Sequence, residues 1–205
     1  MELIYLTYSI QKAKCFNENL TFESAQYLEE VYLRIPQKSI DIAIKKSSAC
    51  TLYYCYTRLK QYDKAKKYCE ETMKQKITVV LRKDSVEIAN LYYMVILFEE
   101  AIHVQLHKTR YYFENNYIHI HAKQYYERIR KSRDNYSFDL LFIGFFRKLP
   151  KSGTKIELHS LFIKLHSETL ILKSSPENQY IQNLMLLLNF EEWMLEKIKL
   201  FQLLR

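Results

Sequence analysis

His103 and His107 stand four residues apart, one turn of a helix, a spacing that can turn two imidazoles toward one metal ion. The rest of such a site is missing. The order is not the His-Glu-x-x-His of a zinc protease, and no nearby carboxylate or cysteine offers an obvious third ligand. General acid–base chemistry needs two carboxyl groups that converge. The acidic doublets Glu29-Glu30, Glu70-Glu71, Glu99-Glu100 and Glu191-Glu192 do not converge, because neighbours on a helix point about 100° apart. No Gly-x-Ser-x-Gly occurs, nor any recognisable cysteine–histidine signature. Cys15, Cys50, Cys55 and Cys69 never form a Cys-x-x-Cys pair. They read as free, mostly buried thiols of a reducing, cytoplasmic compartment, and Met1-Glu2-Leu3-Ile4 lacks the basic lead of a secretory signal. The expectation is a non-catalytic protein with no cofactor and no metal. No apolar run reaches the length of a membrane span.

Two other groups of residues suit binding rather than catalysis. The first is the tyrosines. There are 18, several in doublets: Tyr53-Tyr54, Tyr92-Tyr93, Tyr111-Tyr112 and Tyr125-Tyr126. Neighbours on a helix face different ways, so one member of a doublet can pack in the core while the other borders a groove. The second is charge. The formal net charge is +8. Residues 103–155 hold eleven Lys and Arg against four Asp and Glu, a local balance of +7. Within it, Lys123, Arg128, Arg130 and Lys131 fall on one predicted helix and form a basic patch, with Arg130 and Lys131 seven and eight residues after Lys123 and Arg128 three before Lys131. Such a field favours an acidic partner. Interleaved with tyrosine, it also suits base stacking combined with phosphate contact.

The elements that carry these residues are helices. Two glycines and three prolines in 205 residues leave little material for tight hairpins or Gly-rich phosphate loops. Sandwich, Rossmann and P-loop folds are disfavoured together. A short motif recurs: aromatic, acid, any residue, alanine. It reads Phe22-Glu23-Ser24-Ala25, Tyr62-Asp63-Lys64-Ala65 and Phe98-Glu99-Glu100-Ala101, with a degenerate copy at Phe190-Glu191-Glu192-Trp193. An acid in the first turn suits a helix start, and the alanine lets a second helix approach closely. Leu52-Tyr53 and Ile88-Ala89 precede the motif's alanine by ten to thirteen residues, and Tyr56 and Tyr92 precede it by nine. On these residues, over about 1–115, the chain resembles the tetratricopeptide repeat. Its best copy is Leu52-Tyr53-x-x-Tyr56 followed by Tyr62-Asp63-Lys64-Ala65. It departs from that pattern where Tyr53 fills a position for a small residue and Cys69 a position for an aromatic.

The resemblance implies an all-α fold of stacked antiparallel helical hairpins, a TPR-like α-solenoid. One helical-repeat domain then spans 1–205, with hairpins in 1–115 and completing or capping helices in 116–205. The pattern predicts helices over 2–17 and 22–35, 38–60 and 63–76, and 83–96 and 99–114, with Asp84 as an N-cap. Further helices are predicted over 117–131, 136–148, 156–172 and 178–204. Leu149–Thr154 reads as a loop, and Ile77–Leu81 as an extended linker. The apolar tail Ile198–Leu204 predicts a last helix buried on its own array or against a second subunit, so a homo-oligomer through the C-terminal helix is one expectation.

Function follows from the resemblance. Such arrays bind a protein or peptide in a groove lined by their first helices, here Tyr54, Arg58 and Tyr93. The Lys-, Asn-, Tyr- and Ile-rich texture is similar to that of cytoplasmic regulators of low-GC bacteria and their phages, which implies a regulatory or sensor role. The alternative is a nucleic-acid-binding helical protein that uses residues 103–155.

Overall fold

The computed structural model describes residues 22–34, 39–74, 83–113, 117–131, 137–175 and 189–202. Among the described residues are α1 (Phe22–Arg34), α2 (Ser39–Arg58), α3 (Tyr62–Met73), α4 (Lys83–His103), β1 (Arg110–Tyr112), α5 (Ile118–Ile129), α6 (Ser137–Lys148), β2 (Ser152–Thr154), α7 (Lys155–Ser174) and α8 (Phe190–Phe201). The fold class is all-α. No helix among the described residues is long and apolar enough to cross a membrane. The chain divides into two compact units, residues 1–96 and 97–205, and the boundary falls within α4.

In the first unit α2 packs against both α1 and α3. The apolar residues of α3 recur at helical spacing, and Tyr62, Ala65, Tyr68, Cys69 and Thr72 are all buried. Ala25 of α1 is buried as well. A tight turn joins α2 to α3. Lys60 N–H donates to the Thr57 carbonyl at 3.0 Å and Gln61 N–H to the Tyr56 carbonyl at 2.8 Å, the paired bonds of a Schellman C-cap. The geometry requires a left-handed residue, and Lys60 supplies it with φ 59. Tyr68 meets Tyr32 edge-on at 5.2 Å and stacks with Tyr56 at 6.0 Å.

In the second unit the helices pack in chain order, α5 on α6, α6 on α7 and α7 on α8. Their core is aromatic. Phe142 lies 4.9 Å from Phe190, Phe145 lies 4.8 Å from Phe162, and Phe162 meets Trp193 edge-on at 5.3 Å. Edge-to-face and tilted rings add about 0.5–1.5 kcal/mol per pair beyond burial. β1 and β2 pair antiparallel, with Arg110 opposite Thr154, Tyr111 opposite Gly153 and Tyr112 opposite Ser152. A Cβ on Gly153 would come within 3.0 Å of Pro150 Cγ, which accounts for the glycine there. β2 leads directly into α7. Thr154 accepts from Glu157 N–H at 3.3 Å, and Glu157 accepts from Thr154 N–H at 2.7 Å, a capping box. These bonds, backbone first, hold the Glu157 carboxyl below its usual range.

Several expectations match these elements closely. The helix over 63–76 appears as Tyr62–Met73, that over 117–131 as Ile118–Ile129, and that over 136–148 as Ser137–Lys148. The third hairpin does not form as expected. The helices placed at 83–96 and 99–114 are one helix as far as His103, because Ile96-Leu97 carries no turn residue and every residue from Met94 to Phe98 is buried. Phe98-Glu99-Glu100-Ala101 therefore lies inside a helix, and Asp84 is already helical rather than its N-cap. Residues beyond His103 leave the helix and form β1. The expected Leu149–Thr154 loop contains β2. The helix at 2–17, the linker Ile77–Leu81 and residues 178–188 lie outside the described residues, and the last helix, expected over 178–204, starts only at Phe190, because Asn189 before it is left-handed with φ 49.

The motif nevertheless marks helix starts elsewhere. Phe22, Tyr62 and Phe190 each open a helix. The residue in fourth place is buried in each case: Ala25, Ala65 and Trp193.

Candidate functional site

The three residues expected to line a groove differ in environment. Tyr54 is 4% exposed and its ring centroid lies 6.2 Å from that of Tyr92. Arg58 is exposed. Tyr93 is half-buried and donates its hydroxyl to Glu70 Oε1 at 3.1 Å. Tyr54 is thus a core residue and presents no surface for a ligand. The cause is the enclosure of α2: its described side chains from Thr51 to Thr57 are all buried, on every face of the helix. The expectation that one member of a doublet borders a groove fails for Tyr53-Tyr54, because this stretch of α2 is buried on every face.

Among the described residues of the first unit, one member of the acidic doublets set aside above as non-convergent is held by three donors. Glu29 of α1 accepts from Tyr56 of α2 at 2.5 Å, from Tyr68 of α3 at 2.5 Å and from Lys64 of α3 at 2.7 Å. Lys64 Nζ also lies 4.8 Å from the centre of the Tyr56 ring. Burial pushes the Glu29 carboxyl up, but hydrogen bonds from Lys64, Tyr56 and Tyr68 together hold it below its usual range. Burial first, and then the same carboxylate, raises both tyrosines above theirs. Close by in sequence, Tyr32 donates to Glu71 at 2.9 Å. A carboxylate saturated by three donors from two helices ties α1 to the α2–α3 pair. It has little capacity left as a base. The signal that could have found it is weak: Glu29 lies four residues after Ala25, so both fall on the inward side of α1.

The basic residues lie on the second unit. Lys123, Arg128, Arg130 and Lys131 are all exposed. The Arg128 guanidinium lies 4.7 Å from the centre of the Tyr125 ring, and Arg130 pairs with Glu127 at 2.6 Å. A residue from another helix joins them. Arg147 of α6 lies over the Tyr126 ring, 4.4 Å from its centre, and Tyr126 is three residues after Lys123 and four before Arg130. Lys148, next to Arg147, is exposed too. Beneath this surface Tyr125 donates to the buried Asp139 at 2.7 Å. Sequence spacing on α5 alone yields the first four cations. It cannot show Arg147, whose position depends on how α5 and α6 cross.

His103 and His107 are exposed, and among the described residues no group of three or more His, Cys, Asp or Glu is arranged to hold a metal. Cys55 and Cys69 are buried free thiols and Cys50 is half-buried. Burial raises the Cys69 thiol well above its usual range, so it is inert as a nucleophile. In the second unit Glu99 accepts from Trp193 Nε1 at 2.6 Å and from Lys197 Nζ. This triad, with Lys197 only 7% exposed, is a core feature.

No protein family matches this chain, and neither does a curated protein or a solved structure.

Proposed function

We propose that this chain is a non-catalytic helical-repeat module of the tetratricopeptide kind that binds a protein or peptide, in a regulatory or sensor role in the cytoplasm. One observation carries the reading. Consecutive helices pack side by side in chain order, α1 on α2 and α2 on α3, and the aromatic–acid motifs that open α1 and α3 bury their alanines. That is the local grammar of a stacked hairpin array. With Tyr54 in the core, the contact surface of the first unit falls to Arg58 and the exposed part of Tyr93. Arg58 suits a carboxylate on the ligand. The test is selection of peptides from a random displayed library. The expected winners carry acidic residues and lose binding to the Arg58→Glu variant. Winners that bind Arg58→Glu and Tyr93→Ala as well as the parent would remove the basis for this surface.

For self-association through the C-terminal helix, the exposed apolar residues of α8 among the described residues are Leu195 and Leu200. The rest of its apolar face packs within its own unit, with Phe190, Met194 and Phe201 fully buried.

A second reading has its own support. Binding of nucleic acid through the basic stretch 103–155 is favoured by the seating of Arg147 on Tyr126, which adds a cation from α6 to those of α5.

A further inference from the structure

We propose that Lys123, Tyr126, Arg130 and Arg147 form a binding site for single-stranded nucleic acid, in which the cations take successive phosphates and the Arg147–Tyr126 pair takes a base. The site rests on the second reading above and gives it a location. Lys123 and Tyr126 of α5 and its C-cap Arg130, which keeps a helical conformation, follow one another at three and four residues, so they share one stripe. From Lys123 to Arg130 the stripe covers about 10 Å of helix axis, room for two or three phosphates of an extended strand. Arg147 approaches the middle of that stripe from α6 and covers the Tyr126 ring at 4.4 Å.

With its centre 4.4 Å from the ring centroid, the Arg147 guanidinium is near enough to lie flat on Tyr126. Its outer face is then a preformed surface for a nucleobase, since bases stack on arginine planes as they do on aromatic rings. Holding it beforehand removes part of the entropy lost on binding. The anion on the same stripe is Glu127, which engages Arg130 at 2.6 Å, so a phosphate must compete with it there. Asp139, the other acid of these two helices, is turned into the core toward Tyr125. Exposed Lys131, Arg128 and Lys148 flank the stripe and extend the field beyond it.

A duplex hides its base faces in the stack, and an acidic protein has none. A site built from a stacking pair between phosphate-binding cations therefore selects a single strand. Three phosphates neutralised on a single strand give a slope of log affinity against log salt of about −2.

The experiment uses the full chain and a labelled oligouridine longer than the ~4–16 nucleotides that such sites cover. Anisotropy is read across a salt series. The parent should bind with a slope of about −2. The double variant Lys123→Glu and Arg147→Glu should lose more than tenfold in affinity and about two contacts' share of the slope. Arg147→Lys should keep the slope but lose about fivefold or more, because it keeps the charge and gives up the flat surface. Photo-crosslinking should place the oligonucleotide on Tyr126. Circular dichroism confirms that each variant is folded, which these exposed positions favour. Binding by the parent that survives the double reversal would overturn this site while leaving the second reading in place. No binding of oligouridine by the parent would overturn both. Equal affinity for a polyglutamate of matched charge, with no effect of Tyr126→Leu, would show an unselective polyanion surface and overturn the stacking role.

Discussion

The Gln105 side chain pairs with the backbone of Tyr112 as a neighbouring strand would. Tyr112 N–H donates to Gln105 Oε1 at 2.8 Å, and Gln105 Nε2 donates to the Tyr112 carbonyl at 2.9 Å. The same Nε2 donates to the Ala101 carbonyl in α4 at 2.8 Å. β1 pairs with β2 on one edge, so Tyr112 points its backbone groups to the other. Left open, that edge would be a template for foreign strands. One buried carboxamide closes it and ties the ladder to the end of α4. Gln105→Leu fills the volume but supplies no polar atoms. It should destabilise the second unit by about 1–3 kcal/mol, since it leaves both Tyr112 groups unmatched. The sharper measurement is hydrogen exchange at the Tyr112 amide, which should accelerate. Unchanged protection there would contradict the strand-mimic role.

Glu29 predicts a pH dependence. Its folded pKa lies below the usual value of 4.5, so the unfolded chain binds the proton more readily than the folded one. The stability it contributes is therefore complete above about pH 4.5 and is lost as the pH falls through the folded value. Glu29→Gln removes this dependence, so the stability gap between parent and variant should shrink steadily below pH 4.5. Glu29→Ala strips two tyrosines and Lys64 of their acceptor at once and should cost about 2 kcal/mol at neutral pH. Near-ultraviolet dichroism in the tyrosine band is weighted toward the first unit, which holds eleven of the 18 tyrosines, while the chain's one tryptophan, Trp193, lies in the second. A gap that stays constant from pH 7 to 3 would show that the carboxylate is not linked to folding.

Lys60 offers a stabilising change. Its φ of 59 places a Cβ where left-handed backbone is penalised by about 1–2 kcal/mol, a penalty glycine escapes. Against this, glycine loosens the unfolded chain by up to about 1 kcal/mol. Lys60→Gly should raise the denaturant midpoint of the first unit modestly. Lys60→Val, branched at Cβ, should lower it. If valine is tolerated as well as glycine, the turn between α2 and α3 does not hold Lys60 in that conformation.

How far the sequence disclosed this fold depends on the scale of each signal. A helix start was legible where a motif acts within one turn, as at Tyr62, whereas the start at Phe190 was hidden inside the helix expected over 178–204. The α2–α3 turn was legible because polar Lys60-Gln61 stands directly before the aromatic–acid motif at Tyr62. The continuation of α4 past Leu97 was obscured by repeat spacing. The motif at Phe98 imitates a start, while the unbroken apolar run Met94–Phe98 shows that the chain never leaves its helix. The inward turn of Tyr54 was not legible, because it depends on how many neighbours enclose α2. The strand at Arg110–Tyr112 was missed for a related reason. A three-residue strand has no periodicity of its own, and its partner lies some forty residues away in the chain. Of the candidate sites, the exposed cations of α5 were readable from spacing. The contribution of Arg147 and the closure of Glu29 were not, because each joins residues from different helices.

The Glu99–Trp193–Lys197 triad tests how a buried charge is tolerated. Glu99 in α4 lies one residue after the ring of Phe98, which meets Trp193 edge-on at 5.9 Å, so the carboxylate stands at the margin of the aromatic core. It accepts from Trp193 Nε1 at 2.6 Å and pairs with Lys197 at 2.6 Å. Removing one partner leaves the other charged and poorly solvated, which typically costs about 3–5 kcal/mol for a fully buried pair. The Glu99 and Lys197 side chains keep 15% and 9% of their exposure, so the lower end applies. Glu99→Leu alone and Lys197→Leu alone should each destabilise the second unit by about 3 kcal/mol. The double variant should recover much of that loss, because two leucines leave no charge stranded. Trp193→Phe should cost less than either single change, since Lys197 still satisfies the carboxylate, and it leaves no indole to read. Trp193 fluorescence reports the single and double leucine variants directly, with a red shift wherever the indole N–H loses its acceptor and gains water. Additive losses in the double variant, with no recovery, would mean that Glu99 and Lys197 stabilise the unit independently rather than as a pair.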